Sequence, residues 1–149
     1  MNICKSVVCL TMISALVCCK PNAEKTLFSK PEDLHGQWKL TCIHRGTSII
    51  HSAFGEKKPV ITIDYKKRQI QGFSGCNYFS GPFQAKNNGI KIGPLAATQI
   101  GCVPNGESIF FRQLAKANRF EVSKDSLKFL ASDTVLLSFI KDRFKQVRY

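Results

Sequence analysis

The apolar positions of this chain recur mostly at intervals of two, a period that predicts a series of short strands. Over Gly36–Ile43, Trp38, Leu40 and Cys42 alternate with Gln37, Lys39 and Thr41, so a first strand carries Cys42 on its apolar face. Over Pro59–Asp64, Ile61 and Ile63 oppose Val60 and Thr62. A third strand, Gln69–Gly75, follows the polar turn Lys66-Lys67-Arg68, and residues 45–58 read as a loop. Two β-prone runs, Tyr78–Phe83 and Ile90–Leu95, flank Asn87-Asn88-Gly89. Asn-Gly supplies the two positive φ angles of a type I′ turn, which predicts a hairpin. Arg119–Val122 and Leu127–Leu130, joined by Ser123-Lys124-Asp125, form a second hairpin, and Val135–Ile140 is the last strand.

One segment, residues 105–118, changes to the helical period: Ile109, Phe110, Leu114 and Ala117 share a face. Asn105 suits the N-cap, Glu107 complements the dipole in the first turn, and Lys116 and Arg119 suit the C-terminal end. The expected fold is α+β: a mostly antiparallel sheet bent into an open barrel, with the helix covering one open side.

The N-terminal segment has a different pattern. Lys5 precedes an apolar stretch, Val7–Val17, too short to span a bilayer comfortably and suited to an export leader. Leu16-Val17-Cys18-Cys19 resembles a lipobox, which predicts a leader of residues 1–18 and a lipidated Cys19. The alternative is ordinary cleavage after Ala23, a leader of residues 1–23, and a soluble product. Residues 19–30 are polar and read as a tether, leaving 31–149 as one domain.

With 22 basic and 10 acidic residues the chain carries +12; losing residues 1–18 removes only Lys5 and leaves +11. Such an excess favours anionic surroundings such as acidic lipid, lipopolysaccharide or an acidic protein. Cys4, Cys9 and Cys18 leave with the leader, so Cys42, Cys76 and Cys102 remain beside Cys19. An odd count in an exported domain implies one bond and one leftover thiol. Cys42, His44 and His51 with Cys76 or Cys102 could supply a zinc set, but no Cys-x-x-Cys pair accompanies them. Neither a metal nor another cofactor is expected.

Catalytic signatures are missing. Gly72-Phe73-Ser74-Gly75 falls short of a nucleophile elbow because Cys76 stands where the last glycine belongs. No HExxH, Walker loop or GxGxxG occurs, and the three histidines have no acidic orienter beside them. The aromatics Phe73, Tyr78, Phe79 and Phe83 near lysines could form a base-stacking surface, but export removes the nucleic acid, so none is expected as a partner.

The pattern Gly75-Cys76-Asn77, Tyr78, Ser80-Gly81, Thr98 with Cys102 four residues on, then Glu107 and an apolar helix, resembles the META/HslJ domain. The resemblance extends from about Leu34 to Phe139; the one departure is Ile100-Gly101, where the family often has Met-Ala or Met-Met. It implies a small envelope or secreted domain, often a lipoprotein, linked to stress such as heat shock, with no assigned catalytic residues. It also implies a Cys76–Cys102 disulfide, which suits cysteines placed before and after the central hairpin. Gly75, Asn77, Tyr78, Gly81 and Thr98 are then motif residues of structural importance.

The combined expectation is a non-catalytic bacterial envelope lipoprotein domain at the outer membrane or in the periplasm. It would bind a partner protein or an apolar chain at the edge or mouth of its sheet. A second reading is a basic protein that protects the envelope by contacting anionic lipid or lipopolysaccharide. A third is a thiol or redox enzyme using Cys76 or Cys102.

Overall fold

The computed structural model describes residues 29–44, 53–54, 56–102 and 106–143. The leader, Cys19, His51, Asn105 and residues 144–149 lie outside the described residues. Chain order gives a 3-10 turn, Pro31–Leu34, then β1 (Gly36–Ile43), β2 (Val60–Asp64), β3 (Gln69–Phe73), β4 (Tyr78–Lys86) and β5 (Gly89–Ile92). There follow β6 (Ala96–Ala97), α1 (Gly106–Lys116), β7 (Arg119–Ser123), β8 (Ser126–Ala131) and β9 (Thr134–Lys141).

Every pairing is antiparallel, and the β3–β4 pairing closes the order β3-β2-β1-β9-β8-β7-β5-β4 on itself. The result is an eight-stranded barrel, with β6 lying along β4 beyond β5. Its narrowest seam is β5–β7, where Gly89 and Arg119 form the one paired position. Two further bonds hold that seam: Ile90 N–H to the Asn118 carbonyl at 3.0 Å, and Phe120 N–H to the Asn88 carbonyl at 2.9 Å. The sheet therefore bends into a barrel as the short, evenly spaced strands imply, and α1 packs on it; Ala53-Phe54 are helical too, within the stretch read as a loop.

The barrel interior is filled by side chains rather than left as a cavity, as a small barrel requires. Trp38, Phe83, Phe110, Phe120, Phe129 and Phe139 are its largest fully buried members. The Phe129 and Phe139 rings meet edge to face at 5.6 Å, and Phe79 meets Phe111 of α1 at 5.2 Å. Phe110, Leu114 and the following Ala117 bury the helix's apolar face, while Ile109 is only half-buried. The 3-10 turn adds Leu34 to the core, and its carbonyl accepts the buried Trp38 indole N–H at 2.9 Å.

Two local expectations are corrected. Register shifts between Leu40, opposite Phe139, and Cys42, opposite Ser138. This bulge at Thr41 reverses the alternation, so Ile43 enters the core and Cys42 is left half-buried at the core's margin. The central hairpin turns one residue early: Lys86 pairs with Gly89, and Asn87-Asn88 form the turn. Asn87 alone of the two has a positive φ, +54°, so the turn is not type I′. Arg68, Lys124 and Ser132 supply the left-handed residue in the other tight turns.

Gly81 shows how closely the chain packs around β4. A Cβ there would stand 2.5 Å from the Pro94 carbonyl oxygen and 2.6 Å from the Leu95 side chain. Gly81→Ala must push the backbone of the β5–β6 connection aside, and we expect a loss of about 2–3 kcal/mol. Urea denaturation checks this; a loss below about 0.5 kcal/mol, the scale of a neutral surface substitution, would contradict it.

Candidate functional site

The motif residues converge where β4 begins, beside the N-terminus of α1. Ser74, Gly75 and Cys76 connect β3 to β4, and this tight path needs a positive φ of +99° at Gly75. A side chain there would also strike Phe54, with its Cβ 2.5 Å from that ring. The turn is closed by Ser74 N–H donating to the Asn77 carbonyl at 2.8 Å and by Asn77 N–H donating to Ser74 Oγ at 2.9 Å. A short polar side chain capping its own backbone is what serine does well in a turn.

Asn77 is the centre of the cluster, 3% exposed. Its Nδ2 donates to Glu107 Oε2 at 2.9 Å and to the Ile100 carbonyl at 3.0 Å. Its Oδ1 accepts from Thr98 Oγ1 at 2.8 Å and from Ile100 N–H at 2.7 Å. An amide side chain has two donor and two acceptor positions, and all four are used. Glu107 sits in the first turn of α1, where the helix dipole favours a carboxylate. Its Oε1 accepts from Ser74 Oγ and, at 3.2 Å, from Asn77 N–H. Among the described residues no buried side-chain nitrogen or oxygen lacks a partner.

This network joins three separate stretches: the β3–β4 turn, the segment after β6, and the start of α1. The disulfide Cys76–Cys102 runs beside it, with the two Cα atoms 5.9 Å apart. Thr98 also binds across to β4, its N–H donating to the Tyr78 carbonyl at 3.0 Å and its Oγ1 accepting Tyr78 N–H at 3.2 Å. The cross-link and the amide of Asn77 thus fix the same loop from two sides.

The structure brings Gly75, Asn77, Tyr78, Thr98, Cys76 and Cys102 into one region, while Gly81 acts three residues along β4 through the Pro94-Leu95 contact. Ser74 and Glu107 complete the network; Glu107 stood in the motif as the carboxylate ahead of the apolar helix, whereas Ser74 was not singled out from the sequence. The visible signal was a serine between Phe73 and a glycine, and a carboxylate in the first helical turn; nothing local showed that they meet. His44 lies elsewhere, its Nε2 2.9 Å from Ser138 Oγ, and His51 is outside the described residues. Among the described residues no three His, Cys, Asp or Glu side chains are grouped to hold a metal ion.

The cluster's chemistry is structural: each donor faces an acceptor, and Glu107 is held by two partners. Asn77→Ala leaves Ile100, Thr98 and the Glu107 carboxylate short of partners, so we expect a loss of about 3 kcal/mol. Asn77→Asp sets a second carboxylate against Glu107 Oε2 and should cost at least as much. Glu107→Gln should cost only about 1 kcal/mol, because Ser74 Oγ can turn its proton to the Asn77 carbonyl at 2.8 Å and accept from the new amide. Reducing the disulfide, whose sequence separation is 26, should remove about 3.5 kcal/mol. Denaturation midpoints of the three variants, with and without reductant, check this order; Glu107→Gln as costly as Asn77→Asp would contradict it.

Comparison with known proteins agrees with this architecture. Similar in fold are an NMR structure of a protein from Burkholderia xenovorans, at 21% identity and a TM-score of 0.61, and a crystal structure of a DUF4847 family protein from Bacteroides vulgatus, at 13% identity and 0.55. The first alignment covers 83% of this chain and 97% of the other protein; the second covers 75% and 96%. No protein of curated function matches the chain. The META domain model matches residues 32–144, spanning the barrel, the Asn77 network and the disulfide, and the chain belongs to the META domain family.

Proposed function

We propose that this chain is an exported, non-catalytic binding domain of the bacterial envelope that works through its outer surface. The observation that carries this reading is the use made of the polar residues of the motif and its neighbour Ser74. Ser74, Asn77, Thr98 and Glu107 are hydrogen-bonded to one another and to nearby backbone, so the motif stabilises a surface rather than presenting a reactive group. The barrel interior is occupied by Trp38 and five phenylalanines, which favours binding outside the barrel over enclosure of a ligand. Cys76 and Cys102 bonded to each other suit an oxidising compartment, in keeping with the leader-like residues 1–18 and with META domains as small bacterial domains.

The thiol or redox alternative would use the same pair, but there the disulfide has a structural task beside Asn77. Lipidation at Cys19 remains part of the proposal, since the Leu16–Cys19 sequence supports it. Fractionation of bacteria producing the full chain, followed by intact mass with and without reductant, tests the reading. We expect an envelope-bound product beginning at Cys19 with a diacylglycerol increment, and Cys76 and Cys102 alkylated only after reduction. An unprocessed cytosolic chain with both thiols reactive would overturn it.

A further inference from the structure

Among the described residues the exposed large hydrophobic side chains are Tyr78 at 58%, Ile100 at 61% and Ile140 at 50%. Two of the three are bound into the Asn77 network through their backbones. Tyr78 pairs with Thr98 through both its N–H and its carbonyl, and Ile100 gives its N–H and carbonyl to the Asn77 side chain. The Asn77 network thus holds, through their backbones, two apolar side chains that are exposed to solvent.

Strand register extends this surface. Tyr78 lies opposite Phe73, Phe73 opposite Val60, and Val60 opposite Lys39, so these residues share the outer face of β4, β3, β2 and β1. The Tyr78 and Phe73 rings are 5.3 Å apart, and Phe73 and Val60 are half-buried. Strand spacing makes the Tyr78–Val60 row about 10 Å wide; Lys39 follows it on β1, and the exposed Ile140 opposite Lys39 on β9 continues the same face. Exposed Lys57 and half-buried Lys58 precede β2 at the same end, and the Lys57 carbonyl lies against Gly75. Glu56 is the exposed acid beside them.

We infer that this face, Tyr78, Ile100, Phe73 and Val60 rimmed by Lys39, Lys57 and Lys58, docks on an anionic phospholipid surface. Three features favour a bilayer over a protein. The apolar side chains stand on the convex outside of a barrel rather than in a groove, so they suit shallow insertion among headgroups. Tyrosine, with an apolar ring and a polar tip, is suited to that depth. The lysine rim and the +11 that remains after residues 1–18 are lost complement a negative surface that a single acidic protein patch would only partly match. The inference rests on the envelope reading. If Cys19 is acylated, the ten residues from there to Ser29 would keep the barrel within about 36 Å of the bilayer, raising its effective concentration there.

The test uses the processed protein with Tyr78→Trp, where Trp38 is fully buried and serves as a constant background. Vesicles of equal phosphatidylglycerol and brominated phosphatidylcholine should quench the new tryptophan and shift its emission to the blue. That signal should fall on all-phosphatidylcholine vesicles and at about 1 M salt, where charge attraction is screened. In the native sequence background with Cys19→Ala, which removes the acyl anchor, Tyr78→Ser with Ile100→Ser should lower the partition coefficient at least about tenfold. Lys57→Gln with Lys58→Gln should reduce the salt dependence while the fold stays intact by circular dichroism. An unquenched tryptophan on vesicle-bound protein, equal quenching on phosphatidylcholine alone, or cross-linking that protects Tyr78 behind a protein would each overturn the inference. Envelope localisation with an unquenched tryptophan would sink this inference alone; a cytosolic chain would sink the envelope reading.

Discussion

One side-chain amide sets the local geometry of this domain. Asn77 is nearly inaccessible to water, and an amide buried without partners would cost several kcal/mol. Here all four of its hydrogen-bonding positions are occupied, by groups from the helix start and from the segment after β6. The network has to form whole, because removing any member leaves another stranded in a low-dielectric setting. That requirement explains why the surrounding sequence is so constrained. Gly75 must adopt its positive φ for Asn77 to reach inward, Ser74 must cap the turn, and α1 must begin where Glu107 meets both.

The division of labour between the core and this network follows. Phenylalanines and Trp38 fill the barrel and supply the non-directional part of the stability, about 1.5–3 kcal/mol for each large side chain buried. They do not fix where the connection from β6 to α1 runs. A loop there has few apolar contacts of its own, since residues 96–102 are all exposed. The Asn77 amide and the Cys76–Cys102 bond supply the direction that burial cannot, and they leave Tyr78 and Ile100 in solvent. A fold that holds such side chains outward at this expense has a surface suited to contact, and that links the structural motif to the proposed envelope role.

Much of the architecture was legible in the sequence because it depends on local period and burial. The two-residue alternation over β1, β2 and β7–β9 and the helical spacing of Phe110, Leu114 and Ala117 read directly into strands and helix. Failures came where a non-local partner decides the outcome. The bulge at Thr41 is set by pairing with β9, so strict alternation misplaced Cys42. The β4–β5 turn is set by which residues pair, Lys86 with Gly89, and that register overrode the Asn-Gly preference. The motif residues were visible, but the meeting of Ser74 with Glu107, 33 residues apart, was not, because nothing in either neighbourhood encodes it.

The measurement that bears most directly on this account is native-state amide exchange at Ile100. Its side chain is 61% exposed on an outer loop, a setting in which a backbone N–H ordinarily exchanges quickly. If the Asn77 amide organises the loop, the Ile100 N–H is slow in the native protein and becomes fast in Asn77→Ala, while the Leu40 N–H, bonded to the Pro59 carbonyl between β1 and the start of β2, stays protected in both. An Ile100 amide that exchanges freely in the native protein would contradict the account, because the loop would then be positioned by something other than Asn77.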